Sequence, residues 1–307
     1  MAVQWYPGHM HKACKEIKKV MPQIDIVIEV MDARIPYSSE NPVVTELRQH
    51  RPCIKVLNKN DLADPLVTQL WLNYFEKEAG VKAVALVAEQ KGQTRQLLDL
   101  VRKLVPERNS ALKPTRIMII GIPNVGKSTL MNALAGRVLA KVGNEPAVTK
   151  KQQRIRLCEG MDLSDTPGIL WPRMEDINSG YRLAISGAIR NTAMEYEDVA
   201  MYAAQFLLQT YPDALIARYK LKKLPKSEVE LLELIGSKRG GLRAGGIIDL
   251  HKASEVLLHD YRAGAIGRIT LETPSMVEAA RIERQQKEVL QNTEQGELNN
   301  EDKKGRD

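Results

Sequence analysis

The run Gly121-Ile122-Pro123-Asn124-Val125-Gly126-Lys127-Ser128 has the types and spacing that hold a phosphate chain. Glycines at both ends let the backbone wrap an anion with its N–H groups, and a helix beginning at this point adds positive dipole. Lys127 is placed to reach the outer phosphates and Ser128 to ligate Mg2+, while Asn124, Val125, Gly126 and Thr129 complete the cradle. Ile117-Met118-Ile119-Ile120 before the loop reads as a buried strand, and Thr129 to Leu134 after it has helical spacing.

Asn58-Lys59-Asn60-Asp61 stands at the end of another apolar run, Cys53 to Leu57. Asp61 can accept from the N1–H and exocyclic amine of guanine, and the Lys59 stem can pack against the base. Polar groups left unpaired by the wrong base can discriminate by about 10⁴. Val87-Ala88 is placed at the base-contacting loop, with the Ala88 N–H toward guanine. Asp165-Thr166-Pro167-Gly168 follows a third strand and offers a carboxylate linked to Mg2+ and a Gly168 N–H facing the γ-phosphate. Between the phosphate loop and Asp165 lies Thr149, where a switch threonine would reach the same ion. GTP with Mg2+ is therefore the expected ligand.

These residues require a scaffold that brings strand ends together. Strand signals at 24–31, 53–57, 81–87, 117–120, 154–158 and 161–164 alternate with helical spacing at 42–49, 66–78, 95–104 and 129–134, with a turn at Glu159-Gly160 joining the last two strands. Such alternation predicts an α/β fold, a parallel-rich sheet with helices on both faces and ligands at the carboxyl ends of its strands. Beyond Ser179 strand signals stop, and helices are expected over 183–190, 197–211, 213–221, 227–235 and 248–262. The expected organisation is an N-terminal helical extension (1–23), a GTPase domain (24–175), a small all-α domain (176–283) and a disordered polar tail (284–307). The guanine motif precedes the phosphate loop by about sixty positions, the reverse of an ordinary small GTPase. Circular permutation explains this, with 109–115 as the linker that rejoins former termini.

The 307 residues carry a net charge of +7 and 43% apolar side chains, with no run near the roughly 18 apolar residues that cross a bilayer. With no apolar leader, a cytoplasmic monomer without membrane contact is expected. Cys14, Cys53 and Cys158 lack metal-ligand spacing and read as separate thiols. Basic residues gather at Arg218, Lys220, Lys222, Lys223 and Lys226, and again at Lys238, Arg239 and Arg243 in a glycine-rich stretch. Cations beside flexible backbone suit phosphates on folded RNA, so these are the candidate RNA-binding residues.

The permuted order, with Gln4-Trp5-Tyr6-Pro7-Gly8-His9-Met10, Met31-Asp32-Ala33-Arg34-Ile35-Pro36 and Asp165-Thr166-Pro167-Gly168-Ile169-Leu170-Trp171-Pro172, resembles the YlqF/RbgA family over roughly residues 3 to 265. The resemblance implies a GTPase of late large-subunit assembly that binds rRNA of the immature particle and is released on ribosome-stimulated hydrolysis. A GTP-binding RNA scaffold with little hydrolysis is the alternative. A small-subunit permuted GTPase would bring an oligonucleotide-binding barrel and a cysteine-rich zinc site, and neither is visible. Many GTPases orient water with a glutamine after Asp-x-x-Gly, where this chain has Ile169. His9 is the candidate within the chain, and the resemblance points to it too. Asn124 corresponds to the asparagine with which similar GTPases help to bind K+ near the phosphates.

Overall fold

Two all-buried strands, Ile26–Asp32 (β1) and Cys53–Asn58 (β2), lie side by side in parallel at the centre of the fold. Their near-continuous apolar character is what a sheet covered on both faces requires. Apart from Asp32 and Asn58 at the strand ends, the exceptions are Glu29 and Lys55, which occupy the same register position and sit in one buried polar cluster. The computed structural model describes residues 8–108, 113–138, 153–158, 160–165, 176–189, 195–240 and 248–286.

Around this pair, Val81–Ala85 (β3), Thr115–Ile120 (β4), Gln153–Cys158 (β5) and Met161–Asp165 (β6) complete a six-stranded sheet in the order β3-β2-β1-β4-β6-β5. All neighbours are parallel except β5 and β6, an antiparallel hairpin closed at Gly160. The chain leaves β1 toward β2 and leaves β4 toward β6. The carboxyl ends of β1 and β4 therefore flank a switch point, the place where open α/β sheets bind ligands.

The helices start where the sequence supplies caps. Asn41 caps Pro42–Arg48 (α3) by accepting from the Val43 N–H, and Asp64 caps Pro65–Phe75 (α4) by accepting from Leu66 and Val67. A short helix, Pro36–Ser39 (α2), follows β1. Gly8–Val20 (α1) precedes β1, Lys91–Leu104 (α5) follows β3, and Lys127–Ala135 (α6) follows the phosphate loop.

Beyond the sheet come Ile177–Ser186 (α7), Tyr196–Thr210 (α8), Pro212–Tyr219 (α9), Glu228–Lys238 (α10) and Leu250–Arg262 (α11). The first of these starts and stops earlier than helical spacing suggested, because Asp176 accepts from the Asn178 N–H and Gly187, at φ 80°, ends the helix. Leu183, Ala200, Leu207, Leu232, Ile235 and Leu257 form an apolar interior continuous with Ile28, Ile54, Ile117 and Ile119 on one sheet face. Residues up to Leu271 belong to one compact unit. Residues 274–286 form a further helix in a second unit beginning at Glu272. Among the described residues no helix is long and apolar enough to cross a membrane.

Candidate nucleotide site

The phosphate loop leaves β4 at Gly121, whose φ is 156° and which passes so close to β1 that an added Cβ would lie 2.3 Å from the Val30 carbonyl oxygen. Gly126, at φ 94°, has the same restriction: a Cβ there would meet the Asn58 carboxamide nitrogen at 2.3 Å. Only glycine satisfies both positions. Gly126 is also the N-cap of α6 and brings no side chain to the first-turn N–H groups, which leaves that helix end suited to an anion. The buried Lys127 lies across the loop with its Nζ donating to the Ile122 carbonyl at 2.7 Å. Ser128 and Thr129 are half-buried in the first turn.

The guanine-motif residues are tied into this loop. Asn58 Nδ2 donates to the Val125 carbonyl at 2.8 Å, and Lys59, itself at φ 60°, donates from Nζ to the Asn124 carbonyl at 2.8 Å. Asp61 remains exposed within the short 3-10 turn Asn60–Leu62, where a base can reach it. The Ala88 N–H donates to Asn58 Oδ1 at 3.0 Å and so satisfies the buried carboxamide oxygen of Asn58. Val87, whose N–H donates to Gln93 Oε1 at 2.7 Å, and Ala88 thus brace the motif.

Asp32, at the end of β1, joins the two motifs. Its carboxylate takes Lys59 Nζ at 2.9 Å and, through both oxygens, Arg34 Nε at 2.9 Å and Nη2 at 2.8 Å. Burial works to raise this carboxyl, but the Arg34 and Lys59 charges overcome it and hold Asp32 well below the usual carboxylate range. For Lys59 the balance goes the other way: burial outweighs the Asp32 charge and lowers the ammonium from its ordinary value. Arg34 Nη1 continues to the carbonyls of Tyr261 and Arg262 at the end of α11, at 3.4 and 3.3 Å. Arg262 in turn donates to Ile185 and Ala184 at the end of α7, at 2.9 and 2.8 Å. Asn124, in the left-handed region at φ 61°, closes the circuit by donating from Nδ2 to the Gly187 carbonyl at 2.7 Å.

The backbone of Asp165 ends β6 beside Ile119 of β4, one residue short of the strand's exit into the phosphate loop. The Ser128 hydroxyl, in the first turn of α6, is an oxygen donor of the kind that suits Mg2+. The side chain of Asp165 and the whole of Thr149, Gly168 and Arg243 lie outside the described residues, as does the His9 side chain, although its backbone is in α1. Of the basic candidates, Lys220, Lys222, Lys223, Lys226, Lys238 and Arg239 are exposed around α9 and α10. Arg218 is committed elsewhere: it grips Asp260 with two bonds of 2.8 and 2.7 Å, linking α9 to α11. Lys238 donates to the Lys220 carbonyl at 3.1 Å. The structure also brings in residues that periodicity and motif spacing passed over, Arg262 and Arg268, because single arginines at helix ends and in loops carry no pattern.

Fold and site together define a P-loop GTPase whose guanine-reading strand comes before its phosphate loop in the chain. Residues 116–233 match the MMR_HSR1 family, described as 50S ribosome-binding GTPase. Ribosome biogenesis GTPase A of Priestia megaterium is 46% identical over 286 residues, covering 91% of this chain and 99% of the relative. The protein of that name from Thermotoga maritima is 30% identical over 272 residues, covering 89% and 95%. A GNP-bound YlqF structure from T. maritima superposes with a TM-score of 0.62 at 26% identity, covering 86% of this chain and 98% of that one. The chain belongs to the YlqF/RbgA family of ribosome biogenesis GTPases. It binds guanine nucleotide and hydrolyses GTP.

Proposed function

We propose that this GTPase acts late in assembly of the large ribosomal subunit, docking on immature rRNA in its GTP form and leaving when the particle stimulates hydrolysis. The observation that carries the proposal is the Asn124 bond to Gly187, which ties the phosphate loop to the end of the first described helix after the Asp165 segment. A change around the γ-phosphate then has a direct route to the α7 to α11 layer, whose outer side carries Lys222, Lys223 and Lys226. The description of the matching family as ribosome-binding and the names of the relatives support the same partner.

In this reading Asn58, Lys59, Asn60 and Asp61 select guanine, Gly121 to Thr129 hold the phosphates and Lys127 reaches the outer phosphate as charge develops there. Ser128, Thr149 and Asp165 would hold Mg2+, whose charge offsets that of the phosphate chain. The Gly168 N–H would face the γ-phosphate, and Asn124 would contribute to a K+ site. Ile169 cannot orient water, so His9 supplies that function once the particle fixes the N-terminal segment. The protein works as a cytoplasmic monomer, with 1–23, 24–175 and 176–283 as extension, GTPase domain and ribosome-facing domain.

Steady-state GTP hydrolysis by the purified protein, alone and with large or small ribosomal subunits, tests this. Strong stimulation by large subunits only is expected. An unchanged rate with large subunits would overturn the proposed switch.

A further inference from the structure

We infer that Arg268, outside every motif, positions the guanine-reading Asp61, and that residues 264–271 act as a strap completing the base-recognition loop. This rests on the reading of Asn58 to Asp61 as the guanine reader.

Asp61 lies in a three-residue 3-10 turn, Asn60–Leu62, entered through the left-handed Lys59. Such turns have poor internal hydrogen-bond geometry and depend on their surroundings. Here the surroundings come from the far end of the compact unit. Arg268 Nη2 donates to the Asn60 carbonyl at 3.1 Å and its Nε to the Ala63 carbonyl at 2.9 Å, so one planar guanidinium spans the two sides of Asp61. The Ile269 N–H donates to the Leu62 carbonyl at 2.9 Å, and the Asp64 N–H donates to Thr270 Oγ1 at 3.1 Å. The strap also approaches from the side: Gly264, at φ 71°, sits so near Leu62 that a Cβ would lie 2.6 Å from Leu62 Cδ2. Beyond the loop the Leu271 N–H reaches the Arg34 carbonyl at 2.8 Å, which joins the strap to the turn after β1.

Backbone carbonyls on both sides of Asp61 are therefore fixed by one rigid fork, and the carboxylate between them inherits that placement. A carboxylate that must meet two adjacent donors on one base edge is sensitive to such placement. Lysine offers a point charge rather than a fork and cannot span both carbonyls in the same way.

The test is calorimetric binding of GDP, inosine diphosphate and xanthosine diphosphate to the full chain. Hypoxanthine lacks the exocyclic amine, so the GDP to inosine diphosphate ratio reports the Asp61 contact itself. Arg268→Ala is expected to lower that ratio about fivefold, mostly through weaker GDP binding. Arg268→Lys recovers part of the loss and serves if the alanine variant does not fold. Equal weakening of both nucleotides, or an unchanged ratio in either folded variant, would overturn the inference. Asp61→Asn separates the two claims: it should lose GDP and gain xanthosine diphosphate, whose C2 carbonyl accepts from the new amide. If that exchange fails, the guanine reading itself falls. If it occurs while Arg268→Ala keeps the wild-type ratio, only the strap falls.

Discussion

Arg34 holds Asp32 through two parallel hydrogen bonds while the same carboxylate takes the Lys59 ammonium, so one buried acid carries two cations. The arrangement joins the guanine motif to the α11 end, where Arg34 also satisfies two helix carbonyls. Asp32→Asn would leave buried Arg34 and half-buried Lys59 without this counter-charge. The expected cost is about 3–5 kcal/mol of folding stability, seen as a lower denaturant midpoint in urea unfolding. A midpoint equal to that of the wild type would show that Asp32 is not the charge that balances the pair.

A pH effect follows from the other sheet face. Burial, aided by Glu40 and opposed by Lys55, pushes the Glu29 carboxyl up to about 8. The native state then keeps a proton that the unfolded chain releases near its ordinary value of 4.5. The stabilisation is fully present below that value and is lost as pH rises to about 8, by at most about 1.4 kcal/mol per pH unit. Glu29→Gln keeps an acceptor for the Asn41 N–H, which donates to Glu29 Oε1 at 2.8 Å, and removes the titration. Its stability should change less than that of the wild type between pH 5 and 8, as measured by urea midpoints across this range.

Turnover in K+ is expected to exceed turnover in Na+, and Asn124→Ala should abolish the difference. The variant also loses the bond to Gly187, so its melting temperature should be recorded alongside. Indifference of the wild type to the cation would remove Asn124 as an ion ligand.

His9→Ala should slow hydrolysis stimulated by large subunits while leaving GTP affinity close to that of the wild type. Equal stimulated rates in variant and wild type would take His9 out of the mechanism.

Among the basic residues the structure separates two kinds. Arg218→Ala should lower stability, since it leaves buried Asp260 without its cation, and should leave the salt dependence of rRNA binding intact. Replacing Lys222, Lys223 and Lys226 together with Ala should instead weaken rRNA binding and reduce the log–log salt slope by about 2. Filter binding at several salt concentrations distinguishes the two.

The phosphate loop and guanine motif were legible because each is one short segment whose residue types are set by ligand chemistry and by local backbone shape. The sheet was legible because β1, β2 and β4 are buried on both sides and read as apolar runs. What escaped were relations between distant residues. The Ala88 N–H donates to Asn58 and satisfies a buried carboxamide oxygen, a demand that neither residue announces. Arg262 and Arg268 act through carbonyls, and carbonyls are present at every position, so no spacing marks their partners. The start of α7 was missed because its Asp176 cap precedes the apolar pattern.

The strap from Gly264 to Leu271 has a further consequence for modularity. Although the phosphate loop and guanine motif are complete by Ser128, the loop that carries Asp61 is finished only by Arg268 and Thr270. A fragment cut after α10 would keep both motifs and lose the groups that fix one of them. The nucleotide-binding half is thus no transplantable cassette, and exchange of C-terminal helices between relatives would have to carry the strap and its docking carbonyls together.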